Sequence, residues 1–500
     1  MAHGIARGQA PRMTALVLLL LCGPPSAAAA PAGWPVLPEG SIAVLDANRL
    51  GLRVSTLGHW SSPFGDPLPA LEYPRGSGLD IVYAGGFWAG ARVGGELRTA
   101  IAEYGSDFVP GLAPLGSSTR DDLRHRVWRW TAADTSGRAA WASWAVPQGA
   151  PASPDGDVAV WTTFTDCGPE QALLPIHGHR LTAPLGLEVR LTGWAYDRPG
   201  ALRDVAYLRW RITNRNALAL DSLTLGIFLD PLGIAHSMQW VASDTSRDML
   251  YSWRQQDDDP VYGLQGPALG VRLLQGPAAG GAALRMRSMV AYPNGSDPAD
   301  ESQYWNTLRG LLPWGAVMLD SSTGEPTRYW SPGDPVTGLE WVATGPPHGH
   351  AVLAVGPLTL APGESCDMVA AVVVGQGADR FDSIRRLRAS ADEALEHWRS
   401  AFSAIPPREV LPLRAGPNPS RGEVRLEWTV TGEARRFEIA VFDLNGRRVR
   451  SLFDGVLATG DRSARWDGNR DDGSAAPQGL YLLRVRSGAR EATHRVTLLR

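Results

Sequence analysis

The chain has 500 residues, 44% hydrophobic and 20% charged, with 56 Gly, 39 Pro, 19 Trp and 3 Cys; this composition is that of a globular protein of more than one domain. No lysine occurs, so all 48 basic residues are arginine, which excludes a P-loop phosphate clamp, a pyridoxal Schiff base and an amine nucleophile. Net charge is −3, divided unevenly: residues 411–500 carry 16 Arg against 11 acids and residues 1–410 carry 32 Arg against 40 acids, and nowhere do the arginines cluster densely enough for a nucleic-acid surface.

At the start of the chain, Arg7 and Arg12 precede the apolar run Ala15–Cys22, and Ser26-Ala27-Ala28-Ala29-Ala30 follows. A positive segment, a short apolar segment and small residues in that order predict a secretory signal peptide over residues 1–29, cut after Ala28 or Ala29 because Pro31 blocks cleavage directly before it. The run is too short to span a bilayer, and no later segment is long and apolar enough, so no transmembrane span is expected. Cys22 follows leucines, where a lipid-attachment signal needs a small residue. The exported chain then keeps Cys167 and Cys366, which either pair or stay as separate buried thiols.

Residues 30–403 read as a β-rich body. Gly, Pro, Asn or Asp recurs every eight to twelve residues with short alternating runs between, the cadence of a sandwich or barrel. Leu208, Trp210 and Ile212 alternate with Arg209, Arg211 and Thr213; Leu223, Leu225, Ile227 and Leu229 alternate with Ser222, Thr224 and Gly226. Each run predicts a strand with one buried face. Val369–Val374 is continuously apolar, as in a strand covered on both sides at a sheet centre. One helix is predicted, over 379–403: Phe381, Ile384, Leu387, Ala391, Leu395, Trp398 and Phe402 form a single apolar stripe, Asp379 or Asp382 supplies the N-cap, and Pro406-Pro407 ends it. Residues 404–412 read as a linker.

In residues 413–500, Phe437, Ile439 and Val441 alternate with polar or small residues before Asn445-Gly446, a hairpin-turn pair. Tyr481, Leu483 and Val485 mark a later strand. Six or seven short strands in this length predict an immunoglobulin-like sandwich. The expected fold class is therefore all-β: a large β-sandwich body with one amphipathic helix, then a C-terminal immunoglobulin-like sandwich.

Gly416-Pro417-Asn418-Pro419, Val441–Val449 with Asp443 and Gly446, Gly460, Trp466-Asp467-Gly468, Gly473, Gly479-Leu480-Tyr481 and the closing Leu498-Leu499-Arg500 resemble a type IX (Por) secretion C-terminal sorting domain, and equally the immunoglobulin-like domain of flagellar hook-capping proteins. A signal peptide and the terminal position favour sorting. The resemblance implies recognition by outer-membrane secretion machinery, then cleavage of the tail or its retention as an anchor. Physically, Pro417 and Pro419 fix an extended entry, Asp467, Gly468 and Gly473 supply turn backbone, and Trp466 and Tyr481 belong to the core. The body more faintly resembles an uncharacterised class of secreted bacterial proteins with such tails, through Tyr83–Ala91, Ser243-Asp244-Thr245, Gly266–Gly270, Gly333–Gly338 and Val373–Gly377.

Three constellations in the body suggest chemistry. His177-Gly178-His179 and His348-Gly349-His350 each place two imidazoles on one side of an extended strand, so that His177, His179, His348 and His350 together would make a four-ligand metal site; His348 follows Gly345-Pro346-Pro347, which reads instead as a loop. Asp257-Asp258-Asp259, with Asp244 and Asp248 upstream, offers oxygen ligands to Ca²⁺, against the simpler reading of an exposed turn. Seventeen of the 19 Trp precede residue 411, either as sugar-stacking platforms or as core residues. No Gly-x-Ser-x-Gly elbow and no His-Glu-x-x-His motif occurs. The expectation is a secreted or cell-surface protein, exported through the periplasm, with a non-enzymatic structural or ligand-binding body and no resident cofactor; surface polysaccharide is a candidate partner. A carbohydrate-active enzyme or carbohydrate-binding protein is the first alternative, and a metal-dependent hydrolase the second.

Overall fold

The computed structural model describes residues 41–60, 69–112, 123–168, 181–231, 239–257, 259, 261–279, 282–293, 296–343, 349–402, 414–430, 435–443, 447–458, 460–487 and 490–499. The signal peptide, the linker 404–412, His177, His179, His348, Asp258 and Gly446 lie outside the described residues. The chain divides into two compact units, Met1–Ala394 and Leu395–Arg500.

Among the described residues, two large antiparallel sheets form the frame of the first unit, with three minor sheets of two or three strands beside them. The larger runs in the order Gln239–Asp244, Met249–Arg254, Ala268–Gln275, Ser365–Gly375, Val205–Asn214, Leu187–Ala195, Val158–Thr165 and Val109–Pro110, with Trp128–Thr131 added beside Val158–Thr165. The smaller runs Met286–Tyr292, His350–Leu360, Leu220–Asp230, Ala84–Val93 and Glu96–Ile101. Period-two alternation points one set of side chains from each sheet into a shared core: Leu208, Trp210, Ile212, Ala370 and Val372 meet Phe87, Leu225, Ile227 and Leu353 in one buried cluster. The continuous apolar stretch Val369–Val374 lies in the middle of the larger sheet and is buried on both faces, as its composition requires.

The outer faces are covered by helices. Arg380–Phe402 lies over the larger sheet, started by Asp379, whose Oδ1 accepts the Asp382 amide at 2.7 Å. Gly375 makes that approach possible, because a Cβ there would stand 2.1 Å from the Leu387 nitrogen of the helix backbone. Ile384, Leu387, Ala391, Ala394 and Trp398 are the buried positions, so Ala394 replaces the expected Leu395 in the stripe.

Two expectations are corrected. The Leu223–Leu229 run is buried on both faces, not one, because a second helix, Glu301–Leu308, packs on the outside of the smaller sheet. Gly226 and Gly90 leave the room: a Cβ at Gly226 would meet Leu308 at 2.8 Å, and one at Gly90 would meet Leu308 and Trp305 at 2.9 Å. Trp88, Phe228, Tyr292, Val352, Tyr304, Trp305 and Leu308 fill this second cluster. The helix therefore adds an unexpected layer, although Asp300, which accepts the Gln303 amide at 3.0 Å, gives it an ordinary N-cap.

The second unit is a seven-stranded sandwich. Arg414–Gly416, Val424–Val430 and Gly460–Trp466 form one sheet; Arg448–Leu457, Arg435–Phe442, Gly479–Ser487 and Arg490–Leu498 form the other. Val424, Leu426, Trp428, Phe437, Ile439, Val441, Trp466, Tyr481, Leu483, Val485, Val496 and Leu498 make its own buried core.

Candidate functional site

At one end of the smaller sheet, several strand ends bring ionisable side chains together. Leu220–Asp230 finishes with Asp230, His350 opens its strand opposite Tyr292, and the tight turn after Glu96–Ile101 carries Glu103, Tyr104 and Asp107. Tyr104 Oη donates to Asp230 Oδ2 at 2.8 Å and lies 2.8 Å from His350 Nε2. His350 Nδ1 lies 2.6 Å from Asp297 Oδ1.

The electrostatics follow from burial and pairing. Burial alone would lower the pKa of His350, but hydrogen bonds to Asp230 and Asp297 outweigh it and raise the imidazole to about 10. His350 is thus an imidazolium at neutral pH, and it donates from Nε2 to the phenol oxygen. Burial, and then the Asp230 charge, push Tyr104 far above the ordinary phenol range. Glu103 is fully buried and is raised well above a usual carboxylate by burial and by Asp297. His350 and Tyr104 hold their protons at pH 7. The centre opens to solvent on the side of Asp297, whose side chain is 36% exposed.

His350 therefore serves two carboxylates; His177, His179 and His348 lie outside the described residues. Among the described residues no group of three or more His, Cys, Asp or Glu is arranged to hold a metal. The acids considered for Ca²⁺ face guanidinium groups instead: Asp244 meets Arg247 at 2.9 Å, Asp248 meets Arg285 at 2.8 Å, Asp259 meets Arg254 at 2.6 Å and Asp257 meets Arg380 at 4.0 Å. Cys167 and Cys366 are separate thiols, and burial pushes Cys366 up to about 12.

The tryptophans are mostly core: Trp60, Trp88, Trp141, Trp161, Trp194, Trp210 and Trp466 are fully buried, whereas Trp144 and Trp314 are 50% and 60% exposed. Fragments of the body resemblance converge on the long helix. Ser383 Oγ donates to Gly266 O and accepts from Gly377 N, both at 2.9 Å. The Ser243–Thr245 and Gly333–Gly338 segments flank a hollow of about 380 Å³ into which the helix presents Arg388. Motif spacing showed these segments but not their convergence, which depends on long-range strand pairing.

In the second unit, Pro417, Asn418 and Pro419 are exposed, and Asn418 Oδ1 accepts the Thr497 amide at 2.9 Å. Arg447 N donates to Asp443 Oδ1 at 2.9 Å, closing the hairpin turn. Trp466 Nε1 donates to Asn469 O, Asp467 accepts the Asn469 amide, and Gly468 takes φ +77°. Tyr481 Oη donates to Pro477 O at 2.6 Å, its ring 4.9 Å from that of Trp466, while Gly479 begins the strand paired with Leu498.

Comparison with known proteins adds the following. No curated protein matches the chain in sequence. Among solved structures, a polysaccharide lyase is similar at 10% identity and a TM-score of 0.20, over 66% of this chain and 37% of its own. Dimeric latent PorU from Porphyromonas gingivalis is similar at 11% identity and a TM-score of 0.16, over 68% of this chain and 31% of its own. PorZ, a surface component of the type-IX secretion system of the same organism, is similar at 11% identity and a TM-score of 0.15, over 69% of this chain and 44% of its own. The chain thus spans less than half the length of each of these proteins. Residues 418–491, which make up most of the C-terminal sandwich, match the FlgD Ig-like domain family, and the chain carries a FlgD Ig-like domain at its C-terminus.

Proposed function

We propose that the chain is an exported bacterial cell-surface protein whose body binds or scaffolds without catalysis, and whose C-terminal Ig-like domain is its sorting signal. The observation that carries the sorting reading is the joining of the two ends of that domain. Asn418 accepts from Thr497, Ser420 N donates to Thr497 O at 2.8 Å, and Leu499 N donates to Ser420 O at 2.7 Å. The exposed Pro-Asn-Pro entry and the closing residues thereby form one surface patch that exists only when the domain is folded, as a signal read by a receptor requires.

The test is fractionation of cells that possess type IX machinery, expressing the full chain, a deletion of 411–500 and Asn418→Ala. Both altered chains should stay in the periplasm while the full chain reaches the surface. A truncated body found at the surface would remove the sorting assignment.

A further inference from the structure

The hollow beneath the long helix differs in chemistry from the His350 centre. One wall is the turn after Gln239–Asp244, with Thr245, Ser246 and Arg247; the other is the loop Pro332–Glu340; Arg388 closes the base. The loop is held in shape by its own backbone: Gly333 N donates to Trp341 O at 2.8 Å, Asp334 N to Leu339 O at 2.9 Å and Gly338 N to Asp334 O at 2.7 Å. It is anchored to the sheet by Ser243, whose Oγ donates to Trp330 O at 2.7 Å. Ser331 just before it, at φ +47°, and Glu340 at its end, at φ +62°, are non-glycine residues in the left-handed region. Backbone of that kind persists where surrounding structure fixes it, and it gathers at binding sites.

Its two arginines and two aspartates are already matched. Arg388 joins Asp334 at 3.0 Å and Asp244 at 3.5 Å, while Arg247 joins Asp244 at 2.9 Å and Asp392 at 2.9 Å. Thr337 Oγ1 donates to Asp334 Oδ2 at 3.2 Å and Ser246 Oγ to Asp244 Oδ1 at 2.6 Å. An anion entering here would have to compete with an internal pair, and a cation would meet an unmatched charge only at the exposed rim carboxylate of Glu340. A neutral polyol avoids that conflict, because each hydroxyl both donates and accepts: it can give a proton to Glu340 or Asp334 and take one from a guanidinium N–H. Leu339, 65% exposed at the rim, offers an apolar contact for the C–H face of a ring, and a few convergent polar groups beside an apolar one are what orient a small ligand.

We propose that this hollow binds one neutral sugar unit of a glycan, with Thr337, Glu340 and Leu339 as its rim contacts. The proposal rests on the reading of the body as a binding module, and it is tested on purified protein, so a failure of export leaves it standing. The purified exported chain is applied to an array of neutral and acidic glycans, and the best neutral ligand is then titrated calorimetrically. Thr337→Ala with Glu340→Ala should weaken binding at least about tenfold at an unchanged melting temperature, because both residues are exposed. Trp144→Ala with Trp314→Ala, at exposed aromatics outside the hollow, should leave affinity unchanged. No neutral glycan bound at millimolar concentration, acidic glycans alone, or binding lost only in the tryptophan variant would each overturn the proposal. Release of reducing ends from a glycan whose binding still needs Thr337 and Glu340 would support the site while overturning the non-catalytic reading.

Discussion

His350 carries a positive charge where burial alone would remove it, and this makes the body's stability depend on pH in a definite direction. The unfolded imidazole titrates near 6.5 and the folded one at about 10, so the folded state holds the proton more tightly. That contribution is complete below about pH 6.5 and is lost as pH rises through 10. Glu103, also raised, pushes in the same direction, losing its contribution once pH passes the ordinary carboxylate range. His59 acts oppositely: burial lowers it to about 4, so its contribution, complete above 6.5, is lost as pH falls toward 4. We expect urea unfolding at pH 9.5 to give a lower stability than at pH 7, by at most about 3 kcal/mol from His350, and His350→Gln to flatten that slope. An equal slope in the variant would show that other groups set it. A second expectation concerns Asp166, buried with its carboxylate accepting the amides of Leu185, Gly186 and Leu187 at 2.5, 3.1 and 2.7 Å. Asp166→Ala leaves those donors without their acceptor and should cost about 2–4 kcal/mol, read by denaturant titration; a loss below 1 kcal/mol would mean that water replaces the carboxylate. Neither residue's work was legible locally. His-Gly-His spacing singled out His350 as a metal-ligand candidate on a strand or as part of a loop, but its partners come from segments more than fifty residues away in sequence, and those of Asp166 come from beyond a separate segment.

The two helices show what sequence pattern reveals at the scale of an element. Arg380–Phe402 has twenty-three residues and an apolar stripe long enough for period 3.6 to stand out. Glu301–Leu308 has eight, too few for that period, and only Asp300 followed three residues later by Gln303 signalled a start. The strand beneath it was read as half exposed because Gly226 and Thr224 looked like solvent-side residues; Gly226 is instead the gap the helix fills. Val369–Val374 was legible as a central strand because both faces had to be apolar under a long helix. The seating of that helix depends on a missing side chain. With helix backbone 2.1 Å from the Cβ position of Gly375, Gly375→Ala requires strand and helix to separate, and overpacking of this kind costs about 1–3 kcal/mol or more. We expect a melting temperature lowered by several degrees with weakened near-ultraviolet circular dichroism. An unchanged thermal transition would show that the helix does not need that close seat.

For the whole molecule, the immunoglobulin-like tail was the most legible part, because its turns are written locally: Gly468, after Asp467, and Gly473 sit at positive φ, and Trp466 and Tyr481 form the aromatic contact of its core. The division between units has two candidate places. Sequence pattern placed it after the helix, at 404–412, whereas the packing divides at Leu395, inside that helix. The two boundaries make different predictions. A chain ending at 410 keeps the entire helix, including buried Trp398, together with the Arg247 and Arg272 pairs to Asp392. A chain ending at 394 keeps those pairs but loses Trp398 and the last two turns. The tail has a core of its own, Val424 to Leu498, although a domain of fewer than a hundred residues buries a smaller share of its surface than the body does and is the less stable of the two. We therefore expect calorimetry of the full chain to show two transitions, the lower from the tail. Removing residues 411–500 should abolish the lower and leave the upper in place, whereas ending at 394 should move the upper down by several degrees. If the chain ending at 410 melts lower than the full chain's upper transition, the tail supports the body and the two do not fold independently. If the chain ending at 394 melts where the longer one does, the last turns of the helix contribute nothing to the body.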